Sequence, residues 1–247
     1  MVAVRSEELE RMYRLEETYW WFGARRLLVR YMLDKYRVAP GSLLMDAGCG
    51  TGGTFLALRD RWSLVGVDIS PVALEFAKGR GMTLLVGADV QRLPFGQDVF
   101  DGVVACDVLE HLEDDVAALA ELRRVTKANG VLVVTVPALP WLWSDHDEAL
   151  GHLRRYTRRG LRSVLIEAGW KVERLNYSVT LLMPAIAGFR LFRRARRRSG
   201  APKVDLFEMP GPVNAVLGAV CRLDSWLAAR VAMLPGASLL AVGKKIG

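Results

Sequence analysis

The segment Leu43-Leu44-Met45-Asp46-Ala47-Gly48-Cys49-Gly50-Thr51-Gly52-Gly53 limits the possible folds more than any other part of the chain. A short apolar run ends in an acid, passes a glycine-rich turn and opens into Thr54-Phe55-Leu56-Ala57-Leu58. That order predicts a buried strand, a tight loop and a helix, with glycines where a ligand must touch backbone. Two glycine patterns overlap here. Gly48, Gly50 and Gly53 read as G-x-G-x-x-G, whereas Gly48, Gly50 and Gly52 read as G-x-G-x-G. Asp46 discriminates between them. A pyrophosphate seeks the positive end of a helix free of competing anions, and a carboxylate at the mouth of the loop repels it. The same carboxylate suits a ligand with a cationic amino-acid portion.

Two further acids end apolar runs. Leu64-Val65-Gly66-Val67 leads into Asp68 and Ile69, roughly the ~20 residues downstream at which a ribose-binding acid sits in this kind of fold. Thr83-Leu84-Leu85-Val86 is followed by Gly87-Ala88-Asp89-Val90, which offers an acid for an adenine amino group and an apolar neighbour for its ring. Strands are expected at 42–46, 63–67, 83–86, 99–105 and 130–136, with helices at 52–60, 71–79 and 113–127. Asn129-Gly130 is expected to stop the last of these helices. Helix 158–168 and strand 170–177 restore the alternation after a long loop, and 238–245 is the last strand. Alternation at these lengths predicts a doubly wound, mostly parallel α/β sheet covered by helices on both faces.

With these residues the chain resembles the class I S-adenosylmethionine-dependent methyltransferases. The resemblance rests on Leu43 to Gly52, on Asp68, on Ala88-Asp89-Val90 and on Phe100-Asp101-Gly102-Val103-Val104-Ala105-Cys106-Asp107-Val108-Leu109-Glu110-His111-Leu112. Glu121 to Val125 and Gly130 to Val136 resemble the family's next helix and fifth strand. The resemblance implies a seven-stranded Rossmann-like sheet ending in a hairpin, S-adenosylmethionine as cofactor, and methyl transfer. Carried onto this sequence, it implies cofactor contacts from Asp46, Gly48, Gly50, Gly52, Asp68, Ile69, Asp89, Val90 and Cys106. The family often uses an N-terminal helix as a lid, and Tyr19-Trp20-Trp21-Phe22 places aromatics there. Trp20 is the candidate for cation–π attraction to the sulfonium, worth ~0.5–2 kcal/mol. It does not imply a substrate.

Three regions follow: an N-terminal helical lid at 1–40, a cofactor-binding core at 41–178 plus 237–247, and an apolar, basic helical insertion at 179–236. A net charge of +7 would permit nucleic-acid binding, but six arginines (Arg190, Arg193, Arg194, Arg196, Arg197 and Arg198) account for nearly all of it. Just before them, Val179 to Phe189 is oily yet shorter than the ~20 residues a spanning helix needs. After them, Val213, Val216, Leu217, Val220, Leu223, Leu227 and Val231 recur at helical spacing, with Trp226 alongside. An amphipathic unit beside a polybasic run fits an anionic membrane surface, and fits equally a lid packed on the domain with solvated arginines. RNA phosphates rank third, so nucleic acid is an unlikely partner.

The protein's task in methyl transfer is to align the acceptor, exclude water and remove a proton where needed. Only three histidines exist. His111 lies in the stretch that shapes the cofactor pocket and is read as structural. His152 is the candidate general base and His146 its understudy, because their loop leaves the carboxyl end of the fifth strand, where ligands bind in open α/β sheets. Arg154, Arg155 and Tyr156 are candidates to hold an anionic group on a small or lipid-linked acceptor. Cys49, Cys106 and Cys221 lack metal-ligand spacing, and no metal is expected. The reduced cysteines and the charged N-terminus predict a cytoplasmic protein, able to dock on the inner membrane face. A scaffold that binds cofactor without catalysis is the rival reading.

Overall fold

The computed structural model describes residues 6–195, 204 and 208–246. Helices α1 (Ser6–Leu15) and α2 (Trp20–Lys35) precede strand β1 (Leu43–Ala47), whose apolar run is buried as a central parallel strand requires. The chain then alternates through α3 (Gly53–Leu58), β2 (Ser63–Asp68), α4 (Pro71–Gly79), β3 (Leu85–Gly87), β4 (Phe100–Cys106), α5 (Asp115–Val125) and β5 (Thr126–Pro137). It continues with α6 (Asp145–Ala149), α7 (Arg158–Glu167), β6 (Lys171–Ser178), α8 (Met183–Ala195), α9 (Gly211–Arg230) and β7 (Ser238–Lys244). The seven strands form one sheet in the order β3-β2-β1-β4-β5-β7-β6. Strands β1 to β5 pair in parallel, while β7 runs antiparallel between β5 and β6. The strand order reverses at β1 and β4, and a crevice at their carboxyl ends is where such a sheet binds its ligand.

Local chemistry sets the helix starts. Ser70 accepts a hydrogen bond from Ala73 N ahead of Pro71, Asp114 from Ala117 N, and Thr157 from Gly160 N. Helix α2 lacks a cap of its own, and Asn214 Oδ1 supplies one by accepting from Trp20 N at 3.0 Å. The N-terminal helices and the β6–β7 connection are therefore joined. Asp224 on α9, 1% exposed, accepts from the backbone N–H groups of Val179, Thr180 and Leu181 and fixes the start of that connection.

One sequence expectation changes. Helix α5 ends at Val125, and strand pairing begins at Thr126 rather than after Asn129-Gly130. Asn129 does adopt a left-handed φ of 64°, but inside β5, where its N–H meets Lys245 O. On α9 the apolar spacing is real and divides between the two readings offered for it, with Leu217, Val220 and Leu227 half-buried. Val213, Val216, Leu223, Trp226 and Val231 are exposed, and the helix packs on α2 through Gly218, Cys221, Ser225 and Ala228. Small residues let two helix backbones approach closely, so the large side chains are left on the far side. Of the arginine cluster, Arg196, Arg197 and Arg198 lie outside the described residues, as does the side chain of Arg194.

Candidate active site

A cavity of about 430 Å³ opens at the carboxyl ends of β1, β2, β4 and β5, roofed by α1, α2 and α8. Its polar wall begins with the loop after β1. Gly48 has a φ of 69°, and a side chain there would drive a Cβ to 2.4 Å from Val108 Cγ2. Gly52 (φ 82°) passes against the backbone of Ala77, so the loop tolerates neither handedness change nor bulk. Asp68 organises this loop. Its Oδ2 accepts from Gly50 N at 2.8 Å and its Oδ1 from Ser70 N at 2.9 Å. Burial raises its pKa, opposed by those same N–H groups. Each oxygen keeps a second lone pair, and Asp68 with Ile69 lines the cavity as a ribose-binding acid must.

Gly48, Gly50, Asp68, Ile69, Val90, Cys106 and Trp20 all lie in the cavity wall. Gly52 shapes the turn behind it. Trp20 Nε1 is buried without a hydrogen-bond partner, so the indole offers an unused donor as well as a ring. Two acids differ from expectation. Asp46 is 1% exposed and sits beneath the loop rather than in the wall, with Oδ2 unpartnered and burial pushing its pKa up to about 7. Asp89 turns into its own loop, where Oδ1 accepts from Gln91 N at 2.9 Å, and only its neighbour Val90 meets the cavity.

Besides Asp68, the cavity meets charged groups to which the sequence assigned no role, Arg25 and Glu16 among them. Arg25 on α2 donates to Asp107 Oδ2 at 2.5 Å and lies 3.6 Å from Glu16 Oε1. Burial would lower its pKa, but Asp107 and Glu16 outweigh burial and hold the guanidinium charged. Its Nε is buried without a partner, a donor suited to a ligand carboxylate. Asp107, with a left-handed φ of 56° at the end of β4, also accepts from Thr135 Oγ1 at 3.1 Å. Glu16 reaches from α1's end to the glycine loop, accepting from Thr51 Oγ1 and from Arg80 Nη1 at 2.6 Å. Gly53 makes room, since any Cβ there would strike the Glu16 carboxylate. The one usable hint was the pair Glu16-Glu17 shortly ahead of the aromatic run.

The other wall is built from the loop after β5 and from α8. Asp147 is its hinge-pin: fully buried, it accepts from Ser144 N, from Arg155 Nη1 at 2.6 Å and pairs with His152 Nδ1 at 3.0 Å. Burial would raise its pKa, yet the His152 hydrogen bond, Arg155 and Arg190 hold it well below the usual range. An ionised Asp147 can only accept, so Nδ1 of His152 carries the proton and Nε2 presents a lone pair. His111 packs edge-on at 4.8 Å between ring centroids, and His146 at 6.2 Å. Burial, then His152, lower His111 to about 4 against the opposing pull of Asp107, and burial with Arg190 lowers His146 to about 3. A base that weak is poorly matched to neutral pH, which leaves His152 ahead of His146.

The expected substrate arginines are otherwise employed. Arg154 points away from the cavity to Glu113 O and Asp115, and Tyr156 is a core residue whose hydroxyl donates to Asp115 Oδ2 at 2.6 Å. Arg155 does reach the wall, but its guanidinium donates to Ala138 O, Asp147 and Ala237 O and thereby ties the loop to β7's start. Consecutive residues of extended chain alternate sides, so the three could not act together on one ligand.

Comparison with known proteins agrees with this geometry. Residues 45–134 match a family model described as a methyltransferase domain. The demethylmenaquinone methyltransferase of Beutenbergia cavernae is 30% identical over 204 residues, covering 69% of this chain and 82% of that one. A tRNA (carboxymethyluridine(34)-5-O)-methyltransferase of Arabidopsis thaliana is 32% identical over 120 residues, which is 47% of this chain but only 28% of that longer protein. A methyltransferase of Haloferax volcanii, solved with its activator, superposes with a TM-score of 0.65 over 100% of both chains at 18% identity. The fold and the site define a class I Rossmann-like methyltransferase. The chain belongs to that family, and it is an S-adenosylmethionine-dependent enzyme.

Proposed function

We propose that this methyltransferase acts on a small or lipid-linked, quinone-like acceptor whose hydroxyl or adjacent atom is activated in front of His152. The observation that carries the reading is the meeting of two unlike walls. Leu182, Ile186, Phe189 and Leu217 make one side of the cavity apolar, and the polar cluster of Glu110, His111 and His152 ends it. An amphiphile with an oily tail and one reactive polar head fits that arrangement. Relatives include demethylmenaquinone methyltransferases, whose acceptor is of this kind by name.

The cofactor's methionine carboxylate is assigned to Arg25, its ribose to Asp68 and its adenine face to Val90 and Ile69. S-adenosylmethionine supplies an electrophilic methyl group; the chain supplies alignment and dryness. His152 Nε2 takes the acceptor's proton, and Asp147 holds the ring and stabilises the imidazolium that results. Arg155 and Arg190 stay paired with Asp147, so the loop keeps its shape through that change.

The exposed apolar residues Phe192, Leu191, Val216, Leu223 and Trp226, interspersed with Arg193, Arg222 and Arg230, support docking of the outer face of α8 and α9 on an anionic bilayer from which the acceptor is collected. No helix among the described residues is long and apolar enough to cross a membrane. RNA is a weaker reading, because the same face is oily.

The test uses purified protein and S-adenosylmethionine labelled in its methyl group. Calorimetry should give micromolar-range binding of S-adenosylmethionine and none of NAD. Label should then pass into an organic-extractable quinone-type lipid and not into tRNA. Label in the RNA fraction alone would reject the lipid-linked acceptor.

A further inference from the structure

Glu110, His111 and His152 form a cluster that cofactor binding leaves unused. One ligand atom from each can be chosen so that all lie within 4.8 Å of one another. Glu110 is fully buried, and neither of its carboxylate oxygens has a hydrogen-bond partner. Nδ1 of His111 is also buried and unpartnered. Nε2 of His152 faces Glu110 Oε1 at 4.0 Å with its lone pair outward, because Nδ1 is engaged by Asp147. All three residues line the cavity where its polar and apolar walls meet. A buried carboxylate with both oxygens orphaned is costly unless a proton or a cation satisfies it.

We propose that Glu110, His111 and His152 bind one divalent first-row transition-metal ion, of the zinc type, with an open position turned to the acceptor. Two imidazoles and a carboxylate are the donor set of catalytic sites that keep a fourth position for an oxygen ligand. The Asp147–His152 pair supplies what such sites need behind a ligand histidine: a carboxylate that fixes the ring and the tautomer. Metal–ligand bonds of ~2.0–2.1 Å place donors about 3.4 Å apart, so the cluster closes by about 1 Å on loading. Glu110 and His111 share the short turn Leu109–His111, which follows β4 directly and places both at the cavity. That placement departs from the expectation of no metal, which rested on the cysteines alone.

The acceptor role of the ion rests on the methyl-transfer reading; the site itself does not. In the loaded protein His152 is a ligand, and an acceptor hydroxyl bound at the open position is acidified by the ion. Its O–H bond breaks with the proton passing to water. A carbon–oxygen bond then forms as the methyl–sulfur bond breaks, and the electron pair leaves on neutral S-adenosylhomocysteine.

The experiment strips the full chain with a chelator and titrates it with cobalt(II), followed by zinc(II). The expected result is a visible d–d band saturating at one equivalent, displaced by zinc. Glu110→Gln and His111→Ala should each lose the band, and Asp147→Asn should weaken zinc binding about 10–100-fold. Calorimetric binding of S-adenosylmethionine by each variant shows that it is folded. Absence of a saturable band in the wild-type protein, or a Glu110→Gln variant that binds as tightly as wild type, overturns the metal site and leaves the methyl-transfer reading standing. One equivalent of metal without S-adenosylmethionine binding would support the site and reject that reading.

Discussion

Replacing Glu16 with glutamine tests whether the N-terminal helices are held on the cofactor loop by charge. Glu16 and Arg80 are 3% and 7% exposed, and their carboxylate–guanidinium bond is 2.6 Å long. The amide keeps the shape of the side chain but removes its charge and turns one acceptor into a donor. Arg80 is then left with the Tyr13 carbonyl at 2.7 Å and a partner at 3.7 Å, Glu17, which is largely exposed. Breaking a buried pair from one side costs about 3–5 kcal/mol, and the carbonyl that remains reduces this to about 2–4 kcal/mol. At about 2–4 °C per kcal/mol for a chain of this size, the melting temperature should fall by roughly 5–15 °C. Deuterium exchange should rise across α1 and the start of α2, and S-adenosylmethionine should dissociate faster because a neutral amide oxygen holds Thr51 and Arg80 less tightly than the carboxylate does. Arg80→Met in the same background should recover part of the loss, since removing both charges leaves none buried alone. A Glu16→Gln protein that melts within about 2 °C of wild type, with unchanged exchange at residues 6–35, would refute the latch.

Three other perturbations have signs set by the structure. Asp46 holds its proton up to about pH 7 in the folded protein against 3.8 as its ordinary value, so the native state binds more protons than the unfolded one between those limits and ligand-free stability falls as pH rises through them. At ~1.4 kcal/mol per unit the ceiling is on the order of 4 kcal/mol; Asp46→Asn should flatten the profile in urea unfolding at pH 5 and pH 8, and a parallel profile would contradict it. In metal-free protein His152→Ala should lower turnover about 10²–10⁴-fold with cofactor affinity intact and partial recovery at high pH, whereas normal turnover would make the residue structural. Glutamine at Arg193, Arg194, Arg196, Arg197 and Arg198, with Arg190 kept because it donates to Leu142 O, should abolish sedimentation with anionic liposomes. Wild-type binding should weaken as salt shortens the ~10 Å Debye length of 0.1 M solution. Failure of wild-type protein to sediment at low salt would remove the membrane from the account.

The sheet was legible because buried parallel strands are continuous apolar runs, and those runs cannot be mistaken for surface. Asp68 and the glycine loop were legible for a related reason: their roles depend on backbone geometry that sequence spacing encodes. The network of Glu16, Arg25, Thr51, Arg80 and Asp107 was not. Its members lie far apart in the chain, all but Arg25 in the turns beyond a helix or strand, where spacing says nothing of their partners until the fold brings them together. For helix α9 the sequence left an outward and a packed face equally open, and residue size separates them. Large apolar residues at helical spacing mark a packing face only when the partner leaves room for them, and the fully buried side of α9 carries small residues, Gly218, Cys221, Ser225, Ala228 and Ala229, beside Asp224.

The loop after β5 lines the cavity, while its arginines serve other partners than those expected of them. Its length and its place at the sheet's carboxyl edge did mark it out, but a loop must be held before it can act. Asp147 does the holding, taking Ser144, Arg155 and His152 on one carboxylate, with Arg190 of α8 at 3.5 Å. Arg155 in turn reaches the carbonyls on either side, at Ala138 and Ala237. The arginine that looked like a substrate clamp is thus what keeps His152 in register with Glu110. The same carboxylate also fixes the tautomer, leaving Nε2 without its proton at the point where the cavity changes from polar to apolar. Charge on this loop is spent on position, and it turns Nε2 of His152 toward Glu110 at 4.0 Å, on the cavity wall.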